Sequence, residues 1–161
     1  MKLKINDQIP DTDIYQLVNG EPQKNKIREI LGEKKIILFG LPGAFTSTCS
    51  KFHLPGFIAN ASKIKAKGIK DIFCLSVNDP YVMNAWGEAN NAYDKIKMLS
   101  DPYLFFTKAI GAEVDRNSKG MGIRSNRYAM IIENLKLINI QVEKETKQCG
   151  LSSAETILEM L

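Results

Sequence analysis

Short apolar runs alternate with amphipathic stretches along this chain, and their order predicts its architecture. Lys34-Lys35-Ile36-Ile37-Leu38-Phe39-Gly40-Leu41 holds a continuous apolar run that ends at Pro42-Gly43, the pattern of a strand covered on both faces. From Thr48 to about Lys67, Phe57, Ile58, Ala61 and Ile64 recur at helical spacing, with a stop at Gly68. Pro55-Gly56 must kink or interrupt the first part of that helix, because proline has no N–H to give to the preceding turn. The pair then repeats, as the strand Ile72 to Val77, the breaker Asn78-Asp79-Pro80 and a helix from Tyr81 to about Ala92. Ile96 to Leu99 is another strand, and Asp101-Pro102 opens a short helix through Phe106 and Ile110. Two strands follow the loop around Gly120 and Gly122, Tyr128 to Ile132 and Leu135 to Val142, joined through a two-residue turn at Glu133-Asn134. Ser152 with Glu155 three residues on matches a capping box, so a final helix runs to Leu161.

Strands alternating with helices, then a hairpin and a last helix, predict an α/β fold in which a central mixed β-sheet is flanked by helices. At 161 residues the chain fits one domain, residues 1–161, and it contains no repeat, linker or low-complexity tract. Its 44% hydrophobic and 25% charged residues are those of an ordinary globular protein.

The net charge of +4 arises from 22 Lys and Arg against 18 Asp and Glu, scattered along the chain, so a nucleic-acid partner is not indicated. The basic stretch Lys63, Lys65, Lys67 and Lys70 falls in an amphipathic segment and reads as a solvated helix face. No window has the run of apolar residues that a membrane span requires, and the start, Met1-Lys2-Leu3-Lys4, carries no signal-peptide pattern, so a cytoplasmic location is expected. Three cysteines at irregular positions fit neither a disulfide framework nor a zinc site. No metal or cofactor is therefore expected, and the chemistry rests on the cysteines themselves.

Cys49 stands soon after the first strand and at the start of a helix, in Gly40-Leu41-Pro42-Gly43-Ala44-Phe45-Thr46-Ser47-Thr48-Cys49. Free N–H groups and the dipole at a helix start favour a thiolate. Thr46 could donate its hydroxyl to the sulfur or to a bound oxygen, and Pro42 would stiffen the loop. The bland alternative is a small buried core cysteine with Thr46 as a helix cap.

The Pro-x-x-x-Thr-x-x-Cys pattern of Pro42, Thr46 and Cys49 resembles the active-site motif of peroxiredoxins. With Cys49-Ser50, His53-Leu54-Pro55-Gly56-Phe57, Ser76-Val77-Asn78-Asp79-Pro80, Ala85-Trp86 and Arg124-Ser125-Asn126-Arg127-Tyr128-Ala129, the chain is similar over nearly its whole length to the type II, or five, subfamily. The resemblance implies a thioredoxin-like fold, a homodimer, and a thiol-dependent peroxidase reducing hydrogen peroxide and alkyl hydroperoxides. Cys49 would be the peroxidatic nucleophile, with Thr46 and an arginine binding and polarising the peroxide. Arg127, directly before the strand that begins at Tyr128, matches the family position, and Arg124 is the reserve. An arginine suits the chemistry because the oxygen leaving the attacked peroxide needs fixed donors that stay protonated. His53 lies four residues after Cys49, on the same face of a continuous helix; a structural role for it weighs more than an acid or base role. Trp86 and Phe45 read as packing residues.

The sulfenic acid formed on Cys49 must next meet another thiol. Cys74, 25 positions on, resembles the resolving position of plant relatives but lies in an apolar strand. Cys149, in the polar segment Lys147-Gln148-Cys149-Gly150, is near but not at the resolving position of animal-type relatives. An external thiol is the third route, and thioredoxin, glutaredoxin or glutathione would complete the cycle. A redox-regulated sensor or holdase using the same cysteine is the alternative from another class. A thioredoxin-like disulfide oxidoreductase would need a Cys-x-x-Cys pair, which the chain lacks.

Overall fold

The computed structural model describes residues 1–161. Nine strands form it: β1 Asp13–Val18, β2 Glu21–Lys26, β3 Lys35–Gly40, β4 Asp71–Ser76, β5 Lys97–Ser100, β6 Glu113–Asp115, β7 Ile123–Ser125, β8 Tyr128–Glu133 and β9 Lys136–Val142. Seven of them make one sheet in the order β2-β1-β5-β4-β3-β8-β9, and β6 pairs only with β7. The centre is parallel, β5 to β4 to β3, and both flanks are antiparallel. The mixed sheet expected from the apolar runs is thus present.

The helices are α1 Ile27–Leu31, α2 Leu54–Ala66, α3 Pro80–Ala89, α4 Phe105–Ala109 and α5 Ala154–Glu159. They cover both faces of the sheet and create two separate cores. Ile37, Phe39, Cys74, Ala129 and Ile131 pack with Phe57, Trp86 and Ile157 on one face. Ile36, Leu38, Phe73, Leu75, Met130 and Ile132 pack with Ile27 and Phe106 on the other. Successive strand residues point to opposite faces, which is why β3, β4 and β8 are apolar through their central residues.

The structure corrects several sequence expectations. The helix expected from Thr48 begins at Ser47 and becomes a π-helical turn over Cys49–His53 before α2. Its ring closes when the Leu54 N–H reaches the Cys49 carbonyl, so the disturbance expected at Pro55-Gly56 takes the form of one extra residue in the turn. The β8 to β9 turn is Asn134-Leu135, not Glu133-Asn134, since Glu133 pairs with Lys136 and both turn residues have positive φ as a type I′ turn requires. Ser153, not Ser152, caps α5 by accepting from the Thr156 N–H; the Ser152 hydroxyl is buried and donates to Glu143. The hairpin of β1 and β2 was missed, although its turn, Asn19-Gly20, has the residues and the positive φ angles of a type I′ turn. The pair β6 and β7 was also missed. Lys63, Lys65, Lys67 and Lys70 are exposed as expected, and no helix is long and apolar enough to cross a membrane.

Candidate active site

The loop between β3 and the Cys49 turn is held over residues 41–44 by one backbone carbonyl and two side chains from elsewhere. The Leu41 N–H donates to the Leu75 carbonyl, and the Ala44 N–H donates to Asn78 Oδ1 at 2.9 Å. Arg124 donates through Nη1 to the Pro42 carbonyl at 3.3 Å and through Nε to the Met121 carbonyl. Gly43 leaves room for this arginine, because a Cβ there would lie 3.0 Å from Arg124 Nη1. Phe45 is exposed at positive φ, so the expectation of a packing role fails for it; Trp86 is buried and donates its indole N–H to Ser50 Oγ.

Arg127 and Cys49 meet because of strand parity. Ala129 and Ile131 belong to the same core as Cys49, whereas Tyr128 and Met130 belong to the other, so the residue just before β8 faces the sulfur. Arg127 Nη2 donates to Cys49 Sγ at 3.3 Å. The Thr146 carbonyl accepts from Nη2 at 2.8 Å and from Nε at 3.2 Å, and Nη1 donates to His53 Nδ1 at 3.0 Å. Arg124 touches the loop and not the sulfur. Of the two arginines, only Arg127 is brought to Cys49.

His53 is more deeply involved than its weak sequence signal indicated. Its Nδ1 faces a guanidinium, which can only donate, and its Nε2 lies 3.0 Å from the Ser152 carbonyl, which can only accept. The ring is therefore neutral with its proton on Nε2. Burial first, and the Arg127 charge second, push the His53 pKa down from 6.5 to about 3. The ring also packs edge-on to Phe39, which stacks on Phe57 with centroids 4.1 Å apart, so apolar packing fixes the imidazole that orients the arginine.

Thr46 departs from the expected geometry. Its hydroxyl donates to the Gly43 carbonyl at 2.7 Å, with no hydrogen bond to Cys49, so Oγ1 has only lone pairs to offer a third group. Pro42, Thr46, Arg127, Arg116, Lys119 and Lys147 are among the residues lining a cleft of about 200 Å³. Cys49 is fully buried beneath it, and Arg127 spans the distance from sulfur to cleft. The arrangement can hold a sulfur anion against a fixed cation, accept a hydrogen bond at Thr46 and present donors to a departing oxygen.

The other two cysteines lie in different surroundings. Cys74 is fully buried in the same core as Cys49, and burial pushes its thiol well up. Cys149 is partly exposed, with its thiol pushed up to about 11, chiefly by burial. No cluster of three or more His, Cys, Asp or Glu side chains could hold a metal ion. The residues that sequence reasoning missed are Glu143 and the carbonyls of Thr146 and Ser152.

The family model described as Redoxin matches residues 4–158. Peroxiredoxin-2D of Arabidopsis thaliana is 43% identical over 160 residues, covering 99% of this chain and 98% of its own length. The crystal structure of reduced Prx3 from Vibrio vulnificus in complex with hydrogen peroxide superposes with a TM-score of 0.92 at 44% identity, covering 98% of each chain. Peroxiredoxin 5 from Alvinella pompejana gives a TM-score of 0.85 at 33% identity, over 98% of this chain and 96% of that one. With the mixed sheet, the helix-borne Cys49 and the guanidinium on its sulfur, these likenesses lead to one conclusion: the chain belongs to the peroxiredoxins, in the type II branch of the thioredoxin-like superfamily.

Proposed function

We propose that the peroxidase reaction of this peroxiredoxin runs at Cys49, with Arg127, Thr46 and Pro42 forming the peroxide site. The 3.3 Å contact between Arg127 Nη2 and Cys49 Sγ carries the assignment. The Cys49 thiolate attacks one peroxide oxygen, the O–O bond breaks, and the second oxygen leaves with the bonding pair. Arg127 donors stabilise that charge as it develops, and a solvent proton, equivalent to the one lost when the thiol ionised, converts the leaving group to water or an alcohol. Thr46 Oγ1, its own proton committed to Gly43, accepts a hydrogen bond from the O–H of the bound peroxide and so orients it. Pro42 walls the cleft and its carbonyl anchors Arg124.

The sulfenic acid then condenses with a thiol, releasing water, and two thiol equivalents restore the enzyme. Cys74 is our choice for the resolving partner, because it shares one core with Cys49; the bridge requires the Cys49 turn to unwind, since linked Cα atoms must lie within about 7 Å. Cys149 or an external thiol is the alternative route. Thioredoxin, glutaredoxin or glutathione serves as reductant, and three free cysteines suit a reducing compartment such as the cytoplasm. A homodimer is supported by the exposed aromatics Phe45, Phe52, Tyr103 and Phe105, which association would bury. The decisive experiment is stopped-flow oxidation by hydrogen peroxide of the wild type and Cys49→Ser, followed by turnover with each reductant. Residual turnover in Cys49→Ser would refute the assignment.

A further inference from the structure

Behind Arg127 and His53 runs the segment 143–152, and both residues are held by its backbone and not by side chains. The Thr146 carbonyl takes two donors of Arg127, and the Ser152 carbonyl takes the Nε2 proton of His53. Carbonyls in a polar connecting segment position nothing unless the segment itself is fixed. Glu143 fixes it: Oε1 accepts from the Gly150 N–H at 2.7 Å, the Ser152 N–H at 2.8 Å and the Ser152 hydroxyl at 2.9 Å. The residue is 4% exposed, and no cation lies within ion-pair distance of its carboxylate among the salt bridges.

At its other end Glu143 is tied to the arginine directly. The Glu143 N–H donates to the Arg127 carbonyl at 3.0 Å, which extends the β8 to β9 ladder by one bond beyond Tyr128 and Val142. One residue therefore anchors the main chain of Arg127 and folds the segment whose carbonyls grip its guanidinium. Buried hydrogen bonds to a charged acceptor are the strong ones, and removing that acceptor strands three donors.

We propose that Glu143 is a positioning residue for the peroxide reaction, acting on Arg127 and His53 through the carbonyls of Thr146 and Ser152 without touching sulfur or substrate. A carboxylate at this remove sets the arginine's geometry and leaves its donors free for the sulfur and the leaving oxygen. A carboxylate in direct contact would take those donors. The inference rests on the assignment of Arg127 to the peroxide site.

The test is a double-mutant cycle on the rate of Cys49 oxidation by hydrogen peroxide. Glu143→Ala is expected to slow the reaction by about three- to tenfold in protein that remains folded by circular dichroism. Glu143→Gln, whose amide oxygen can still accept, restores the rate to within about twofold. In an Arg127→Ala background, Glu143→Ala costs less than about 1.5-fold more, because the residue acts only through the arginine. A merely structural role gives additive losses and no rescue by Gln, and either result overturns the proposal. If Glu143→Ala does not fold, Ser152→Ala, which deletes one of the three bonds, replaces it in the same cycle, with about a twofold loss expected; no loss, or an additive one, is equally fatal. A full rate in Arg127→Ala would instead remove the assignment on which the inference stands.

Discussion

Cys49 and Cys74 share one hydrophobic core and are equally inaccessible to solvent, yet their chemistry differs completely. Cys74 lies in the middle of β4 opposite Phe39, and burial pushes its thiol well up. Cys49 receives a guanidinium donor in the first turns of a helix. Burial without donors keeps a cysteine a thiol and a poor nucleophile while the fold stays closed, and the same burial with a fixed cation makes the electrostatics of the site strong, because little water competes. The proposed nucleophile is thus distinguished from Cys74 by the polar groups that reach it and not by its exposure.

Four experiments press on that contrast. Cys49→Ser should remove peroxide turnover, a loss of at least about a thousandfold, since the hydroxyl that replaces the thiol is a poor nucleophile near neutral pH; steady-state assays check it, together with circular dichroism to confirm the fold. The next effect is on stability. His53 is the single histidine, and its pKa of about 3 in the folded protein lies below the 6.5 of the free side chain. The unfolded chain therefore binds the extra proton between these values. The stability held by neutral His53 is complete above about pH 6.5 and declines as pH falls toward 3, by about 2 to 3 kcal/mol at pH 4.5. Urea unfolding at pH 7.5 and 4.5 measures it, and His53→Gln should lose that part of the slope; an unchanged slope would clear the histidine.

Arg127→Ala should slow oxidation of Cys49 by at least about tenfold, or roughly 1.4 kcal/mol, whereas Arg124→Ala should act less, through the loop. Equal rates for wild type and Arg127→Ala would transfer the role away from Arg127. Last, Cys74→Ser should change the first oxidation step by less than about twofold while preventing the intramolecular disulfide. Mass mapping after one equivalent of peroxide tests this, and a disulfide that persists in Cys74→Ser would exclude Cys74 as the partner.

How much of this the chain declares depends on what each part buries. β3, β4 and β8 are covered on both faces, so their apolar runs stand out in the sequence. β2, Glu-Pro-Gln-Lys-Asn-Lys, is an edge strand with no fully buried residue, and nothing in its polarity marks it; only the Asn19-Gly20 turn could have revealed the hairpin. Pro42, Thr46, Cys49 and Arg127 were legible through their motif, and the structure brings three of them to one cleft with Cys49 beneath it. His53 was legible as a residue but not as a partner of Arg127, which precedes β8, 74 positions later. The carbonyls of Thr146 and Ser152 were not legible at all, because every residue carries one and only the folded path of 143–152 selects these two.

The absence of any carboxylate against Arg127 has a consequence for the second half of the cycle. Among the contacts of this 1% exposed guanidinium, the Cys49 sulfur is the only group able to carry a negative charge, so in the proposed reaction the attacking thiolate is the arginine's counter-ion. On the proposed reaction, conversion of that sulfur to a neutral sulfenic acid would remove the charge, while the cation stays buried among a histidine ring and a backbone carbonyl. An isolated buried cation costs several kcal/mol until water reaches it. In that scheme charge imbalance would favour opening of the oxidised site, the movement that the proposed resolving step calls for. On this proposal the guanidinium that speeds the attack on peroxide would also favour its own exposure once the sulfur has reacted.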